Sequence, residues 1–287
     1  MKNPIIMHIN YCEQGQTLPE VFEVASRIGY DGIEFRRSGD NYHLPLESYL
    51  ETIAALREQY HMPYILFGGP ALDAMTSQRD TLQKNTEEYL HFLEVADRLG
   101  LLSTVNFMCG SIANPKVPMD LYHCESHGFA VHEPWQWEQA VTVCRIVADA
   151  KPQVKFAFET HMFFLHDTAK TTRALVEAID RPNFGINLDY GNALFFPHTE
   201  PLAKAIEIAG DKLFYTHFKS YQPVGSGAGQ LLPTSLADGC INHREYLRCL
   251  QALSFEGPIG IEAPRPGDRE HFASEDYAYI QPLIRNA

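Results

Sequence analysis

An α/β chain folded as a (β/α)8 TIM barrel is what this sequence predicts, and three observations carry the prediction. Short strand-like runs alternate with longer helical patterns; the runs number eight; and the chain has 287 residues, about the length such a barrel needs. A doubly wound open sheet is the competing reading, and no GxGxxG follows the first strand to support it. With 45% hydrophobic and 21% charged residues the composition is that of a globular chain, expected to form one barrel domain over 1–287.

The units follow in order. IIMHIN (5–10) is the first strand, and LPEVFEVASRIG (18–29) after it repeats apolar residues at three and four before a terminal glycine, as a helix does. GIEFR (32–36) precedes the helical LESYLETIAALREQY (46–60); PYILFG (63–68) precedes the long TLQKNTEEYLHFLEVADRLG (81–100). STVNFM (103–108), VKFAFE (154–159), FGINLD (184–189), LFYTHFK (213–219) and PIGIE (258–262) supply the remaining strands, with EYLRCLQAL (245–253) among the later helices. Gly29, Gly100 and Gly210 stand where a helix C-terminal glycine is expected, and Thr168 and Asn242 where an N-cap is. RIGYDGIEF and LSFEGPIGIEAP resemble each other weakly, without a strict repeat.

Several function classes are disfavoured. A net charge of -13 offers no basic face to a phosphate backbone, so nucleic acid is not an expected partner. The start, MKNPIIMHINY, has too short an apolar run for a signal peptide, and no stretch approaches the roughly 18 apolar residues of a membrane span, so the expectation is a cytoplasmic protein with no membrane partner. The six cysteines form no CxxC pair, and Cys144 and Cys249 fall in helical runs where a small buried thiol is the expected role.

Parity along the last strands points to chemistry. Side chains alternate along a strand, so in GINLD the residues Ile186 and Leu188 share one face while Gly185, Asn187 and Asp189 share the other. Phe156 and Phe158 oppose Ala157 and Glu159; Phe214, Thr216 and Phe218 oppose Tyr215, His217 and Lys219; Ile259 and Ile261 oppose Gly260 and Glu262. In a barrel the bulky set faces the helices, which sends the small and polar set inward and its last member to the C-terminal mouth. Alone, Asp189 before Tyr190, Gly191 and Asn192 reads equally as a turn residue. Together, Glu159, Asp189, His217 and Glu262 converge on one place, and three converging carboxylates repel unless a cation sits among them. His8, Asn10, Glu34, Arg36 and Asn106 are further inward or mouth-facing candidates. Arg36 and Arg265 each suit a substrate carboxylate or phosphate, with an internal ion pair as the bland alternative, for Arg36 to Glu34 or Asp40.

The motifs FETH (158–161), NLDYGN (187–192), THFKS (216–220) and ADGCINHREYLRCLQALSFEGPIGIEAP (237–264) make the chain resemble the xylose isomerase-like TIM barrels, a family of sugar and sugar-phosphate isomerases and epimerases. The resemblance implies that Glu159, Asp189, His217 and Glu262 bind one divalent metal, and this donor set suits Mn²⁺, Mg²⁺ or Co²⁺, with Zn²⁺ also compatible. It implies an isomerase or epimerase acting on a small carbohydrate through an enediolate, with Glu159 and Glu262 exchanging the proton. His161 matches the family's second polar residue after the strand-5 Glu and Lys219 stands two beyond the metal His, places that suit substrate oxygens; the alternatives are a supporting or loop histidine, and a lysine paired with a site carboxylate. Arg36, Arg265, His8 and Asn106 complete the candidate substrate contacts, together with Asn192. The ketose 3-epimerase branch has a His three after the metal Asp and an Arg six after the metal His, where this chain has Asn192 and Pro223. A dehydratase or lyase that passes through the same metal-bound enolate is therefore the alternative, and a homo-oligomer is compatible with either.

Two rivals remain. Abasic-site endonucleases use this barrel but need more His and carboxylate ligands and a DNA-accepting surface, which the acidic charge opposes; a non-catalytic sugar-binding barrel would not need so complete a ligand set. The long segment from Gly110 to Pro134, with His123, His127 and His132, has the length and composition of a lid, and YQPVGSGAGQLLPTSLADG looks like a second flexible loop.

Overall fold

The computed structural model describes residues 1–36, 44–112, 128–196, 199–224, 231–263 and 265–286. The strands are β1 (Ile5–His8), β2 (Gly32–Phe35), β3 (Tyr64–Phe67), β4 (Thr104–Phe107), β5 (Lys155–Glu159), β6 (Phe184–Asp189), β7 (Leu213–Phe218), β8 (Tyr221–Pro223), β9 (Leu231–Pro233) and β10 (Ile259–Ile261). Eight of them close into a parallel barrel in the order β1-β10-β7-β6-β5-β4-β3-β2, and β8 with β9 forms an antiparallel pair of its own. Every strand expected from the sequence is present within one or two residues of its expected ends. The β8–β9 pair is an addition: the segment around it reads as loop because its glycines and prolines hide a short strand signal. Residues 225–230 of that segment lie outside the described residues.

The described helices are α1 (Leu18–Ile28), α2 (Leu46–Gln59), α3 (Arg79–Arg98), α4 (Gly128–Val131), α5 (Pro134–Ala150), α6 (Ala169–Ile179), α7 (Tyr190–Ala193), α8 (Leu202–Ala209), α9 (His243–Ala252) and α10 (Arg269–Arg285). Their ends follow local chemistry. Thr17 and Glu20 form a capping box at the start of α1, which stops at Gly29 with φ 104°, a left-handed angle that favours glycine. Thr168 accepts from Thr171 N before α6, and Asn242 accepts from Glu245 N before α9, so both expected N-caps are in place. Among the described residues no helix is long and apolar enough to cross a membrane.

The core has two layers, divided by strand parity. Outward residues such as Ile33, Phe67, Phe107, Phe158, Phe184 and Ile261 join one large cluster with the apolar faces of the helices. Phe107 touches Phe158 and Phe184 edge-on with centroids 5.3 Å apart, an arrangement that adds to simple burial of the rings. A separate small cluster of Ile6, Leu66, Ala157 and Tyr215 fills the barrel interior. Above it the inward positions turn polar, and that polar tier positions the site.

Candidate metal centre and active site

The strand ends deliver the four candidate ligands. Glu159 and Asp189 are the last residues of β5 and β6, His217 is next to last on β7, and Glu262 follows β10. Register aligns them, since Asp189 pairs with His217 and Gly260 with the same His217. One donor atom from each of the four lies within 4.8 Å of the other three, and all four side chains are buried. From His217 Nδ1 the distances are 3.2 Å to Glu262 Oε2, 3.5 Å to Asp189 Oδ2 and 3.8 Å to Glu159 Oε1.

Asp189 shows how the turn and site readings coexist. Its Oδ1 accepts from Asn192 N at 3.1 Å and caps α7, the local role typical of aspartate in a turn, while its Oδ2 faces His217 and Lys219. Lys219 is 4% exposed, with Nζ 2.7 Å from Asp189 Oδ2 and 2.9 Å from Glu262 Oε2. Neither approach has hydrogen-bond geometry, so Asp189 Oδ2, Glu262 Oε2 and His217 Nδ1 remain buried without a hydrogen-bond partner. Three orphaned atoms converging within ion-pair distance, from two carboxylates and an imidazole, suit a divalent cation. The site therefore fits the metal that the ligand pattern implies.

Electrostatics within the cluster are strong. Burial alone would raise the Glu159 and Glu262 carboxyls, yet both are held below the ordinary carboxylate range, Glu159 chiefly by His217 and Glu262 chiefly by Lys219 and His8. Burial works against the charged forms of His217 and Lys219 as well, but Glu34 raises His217 well above its usual value, and Asp189 with Glu262 raises Lys219. Glu34 is also held low against its burial by His217 and His8.

The remaining sequence candidates divide into those at the cluster and those tied elsewhere. Asn106 Nδ2 donates to Glu159 Oε2 at 2.7 Å, and Asn192 Nδ2 donates to Glu159 Oε1 at 3.1 Å, so both amides hold this one carboxylate. Asn10 Nδ2 donates to Glu262 Oε1 at 3.2 Å, and His8 Nδ1 stands 4.0 Å from the same oxygen. Lys219 takes the carboxylate-partner position that was its alternative reading. His161 is half-buried beside the β5 mouth, with Nδ1 2.9 Å from the Met162 carbonyl oxygen. Arg36 is held by Glu13 through two bonds of 2.9 and 2.7 Å; the expected partner Glu34 turns inward, and the other, Asp40, lies outside the described residues. Arg265 takes its bland alternative, pairing with Glu275 at 2.9 Å and Asp276 at 3.3 Å over the Phe272 ring. Of the Gly110–Pro134 segment, 113–127 lie outside the described residues, His123 and His127 among them, and His132 packs against Phe129 and Trp137.

Residues the sequence reading left out also belong here. Asn187 Nδ2 donates to Asn106 Oδ1 at 3.1 Å, and its inward parity was legible. His166 is fully buried against the Glu159 carbonyl oxygen, with burial lowering its pKa to about 4, and no spacing singles it out.

A closed β/α barrel whose strand ends gather Glu, Asp, His and Glu is a recognisable class of protein. The chain belongs to the xylose isomerase-like TIM barrel family, whose model matches residues 22–283. No curated protein matches it. Among solved structures it is similar to a xylose isomerase-like TIM barrel protein from Mycobacterium smegmatis in complex with magnesium, at 16% identity and a TM-score of 0.76 over 99% of this chain and 97% of that one. D-psicose 3-epimerase from Clostridium cellulolyticum H10, with D-tagatose, is similar at 15% identity and a TM-score of 0.74 over 98% and 99% of the two chains. D-allulose 3-epimerase from Methylomonas sp. is similar at 17% identity and a TM-score of 0.73, covering 98% of each chain. At these identities the likeness is one of fold.

Proposed function

We propose that this chain is a divalent-metal-dependent isomerase or epimerase of a small carbohydrate, moving a proton on a carbon next to a carbonyl. The observation that carries the reading is the convergence of Glu159, Asp189, His217 and Glu262 within 4.8 Å, with three of their donor atoms left without a hydrogen-bond partner. Membership of the family supports it, as do the sugar 3-epimerases among the structures of similar fold. When bound by these four residues, a divalent cation such as Mn²⁺, Mg²⁺ or Co²⁺ would acidify the substrate C–H and stabilise the developing oxyanion.

The rest falls to the chain's own groups. Glu159 and Glu262 come from β5 and from the end of β10, with β6 and β7 between them in the barrel, so they approach a central ligand from different sides. For an epimerase one removes a proton from one face and the other, having taken up a proton from solvent, delivers it to the opposite face, which inverts the carbon; the first then releases its proton to solvent. Both are held in the charged, proton-accepting form. Asn106 and Asn192 fix the Glu159 oxygens from behind, while Lys219 keeps positive charge between Asp189 and Glu262. His161 and His8 are the candidates for the substrate's outer oxygens; Arg36 and Arg265 would have to leave Glu13 and the Glu275–Asp276 pair to serve in the same way.

A dehydratase or lyase is the second reading, favoured by one observation. Asn192 spends its amide on Glu159 and on the Thr160 carbonyl oxygen, where the ketose 3-epimerase pattern has a histidine. Incubation with a panel of ketoses and keto-polyols in D₂O with Mn²⁺ tests both. Deuterium in recovered sugar or its epimer is the expected result; deuterium-labelled deoxy or unsaturated product would favour the lyase, and no incorporation with any of the panel would count against proton-transfer chemistry.

A further inference from the structure

Glu34 is assigned above to neither metal nor substrate, yet it is the most enclosed carboxylate beside the site. It is 0% exposed on β2, and a carboxylate buried so deeply persists only where its oxygens are well satisfied. Oε2 accepts from the Tyr215 hydroxyl at 2.6 Å and from His217 Nε2 at 2.7 Å, and Oε1 accepts from Asn106 Nδ2 at 2.9 Å. Because a carboxylate only accepts, Nε2 of His217 carries a hydrogen, so in the neutral ring that a metal ligand requires the lone pair lies at Nδ1, the atom that faces Glu262, Asp189 and Glu159. Asn106 Nδ2 donates at the same time to Glu159 Oε2 at 2.7 Å, so one network joins ligands on β5 and β7.

The surrounding backbone leaves room for this network. A Cβ at Gly68 would lie 2.6 Å from Glu34 Oε1, and a Cβ at Gly260 would lie 2.2 Å from the Tyr215 hydroxyl and 2.7 Å from His217 Cδ2. Both positions are bare where the network passes.

We propose that Glu34 is the positioning residue of the metal centre: it holds His217 in the Nε2–H form with Nδ1 aimed at the carboxylates, and through Asn106 it couples that orientation to Glu159. The inference rests on the metal reading given above. An anionic partner on the far nitrogen fixes ring orientation and raises the basicity of the coordinating one, and its loss typically weakens metal binding about 10- to 100-fold while every ligand stays in place.

The test is titration of chelator-treated full-length protein with Mn²⁺, and with Co²⁺ read by its visible absorption, in wild type, Glu34→Gln and Glu34→Asp. Glu34→Gln keeps the size but lacks the charge; Glu34→Asp keeps the charge but withdraws it from His217. The expected result is a Kd for Mn²⁺ raised about 10- to 100-fold in Glu34→Gln, with an altered Co²⁺ spectrum at saturation and an unchanged melting temperature in chelator. If Glu34→Gln does not fold, Glu34→Asp decides by the same criteria. An unchanged Kd and Co²⁺ spectrum in a folded variant overturns the positioning role while leaving the metal reading intact. A weaker Kd with the wild-type Co²⁺ spectrum also overturns it, because a loosened fold gives that result. Wild-type protein that takes up neither ion overturns both readings.

Discussion

In the proposed reaction Glu159 and Glu262 each have two duties, holding a cation and exchanging a proton. Replacing either by Gln keeps the shape and a coordinating oxygen but removes the base. Turnover in Glu159→Gln and Glu262→Gln, assayed with metal in excess, is expected to fall about 10²- to 10⁴-fold, the usual contribution of a positioned acid or base. Metal affinity should fall less. In an epimerase each variant should lose hydrogen exchange from one face and keep some from the other; exchange at the wild-type rate in both would show that neither glutamate is the base. These residues were legible in the sequence because parity alone sends them inward. Glu34 was visible as an inward residue, but its role was not: Arg36 offered a partner two positions away, whereas its actual partner, His217, is 183 residues distant. Arg36 in turn found Glu13, on the chain leading into α1, a contact created by the parallel pairing of β1 and β2.

At the scale of elements, strands were read within one or two residues because each is a short apolar run bounded by breakers. The β8–β9 pair was not, since only three residues on each side pair and Pro223 and Pro233 lie among them. Helix α9 carries a titration that the sequence did not announce. His243, its first residue, is 1% exposed and packs on Phe218, with Nδ1 3.1 Å from the Leu236 carbonyl oxygen. Burial lowers its pKa to about 4. With the folded value below the unfolded one, the neutral ring favours folding above about pH 6.5, and that contribution is lost as pH falls from there towards 4. Between pH 7 and pH 4.5 the loss is expected to be roughly 2–3 kcal/mol from this residue. Denaturant unfolding at both pH values checks it: the loss should shrink by about that amount in His243→Gln, and an equal loss in variant and wild type would remove His243 from the account.

For the whole molecule, the count of eight units in 287 residues was enough to predict closure, and closure is what turns four separate strand ends into one site. Sequence order alone could not show how tightly they meet, because the convergence depends on register across β6, β7 and β10, including the irregularity between Ile186 and Asn187. The central claim is that the barrel gathers Glu159, Asp189, His217 and Glu262 to hold one divalent cation. Elemental analysis of protein purified without chelator and reloaded with Mn²⁺, beside His217→Ala treated identically, tests it most directly. The account predicts about one equivalent per chain in the wild type and a large fraction of it lost in His217→Ala; equal metal content in the two proteins would contradict the site.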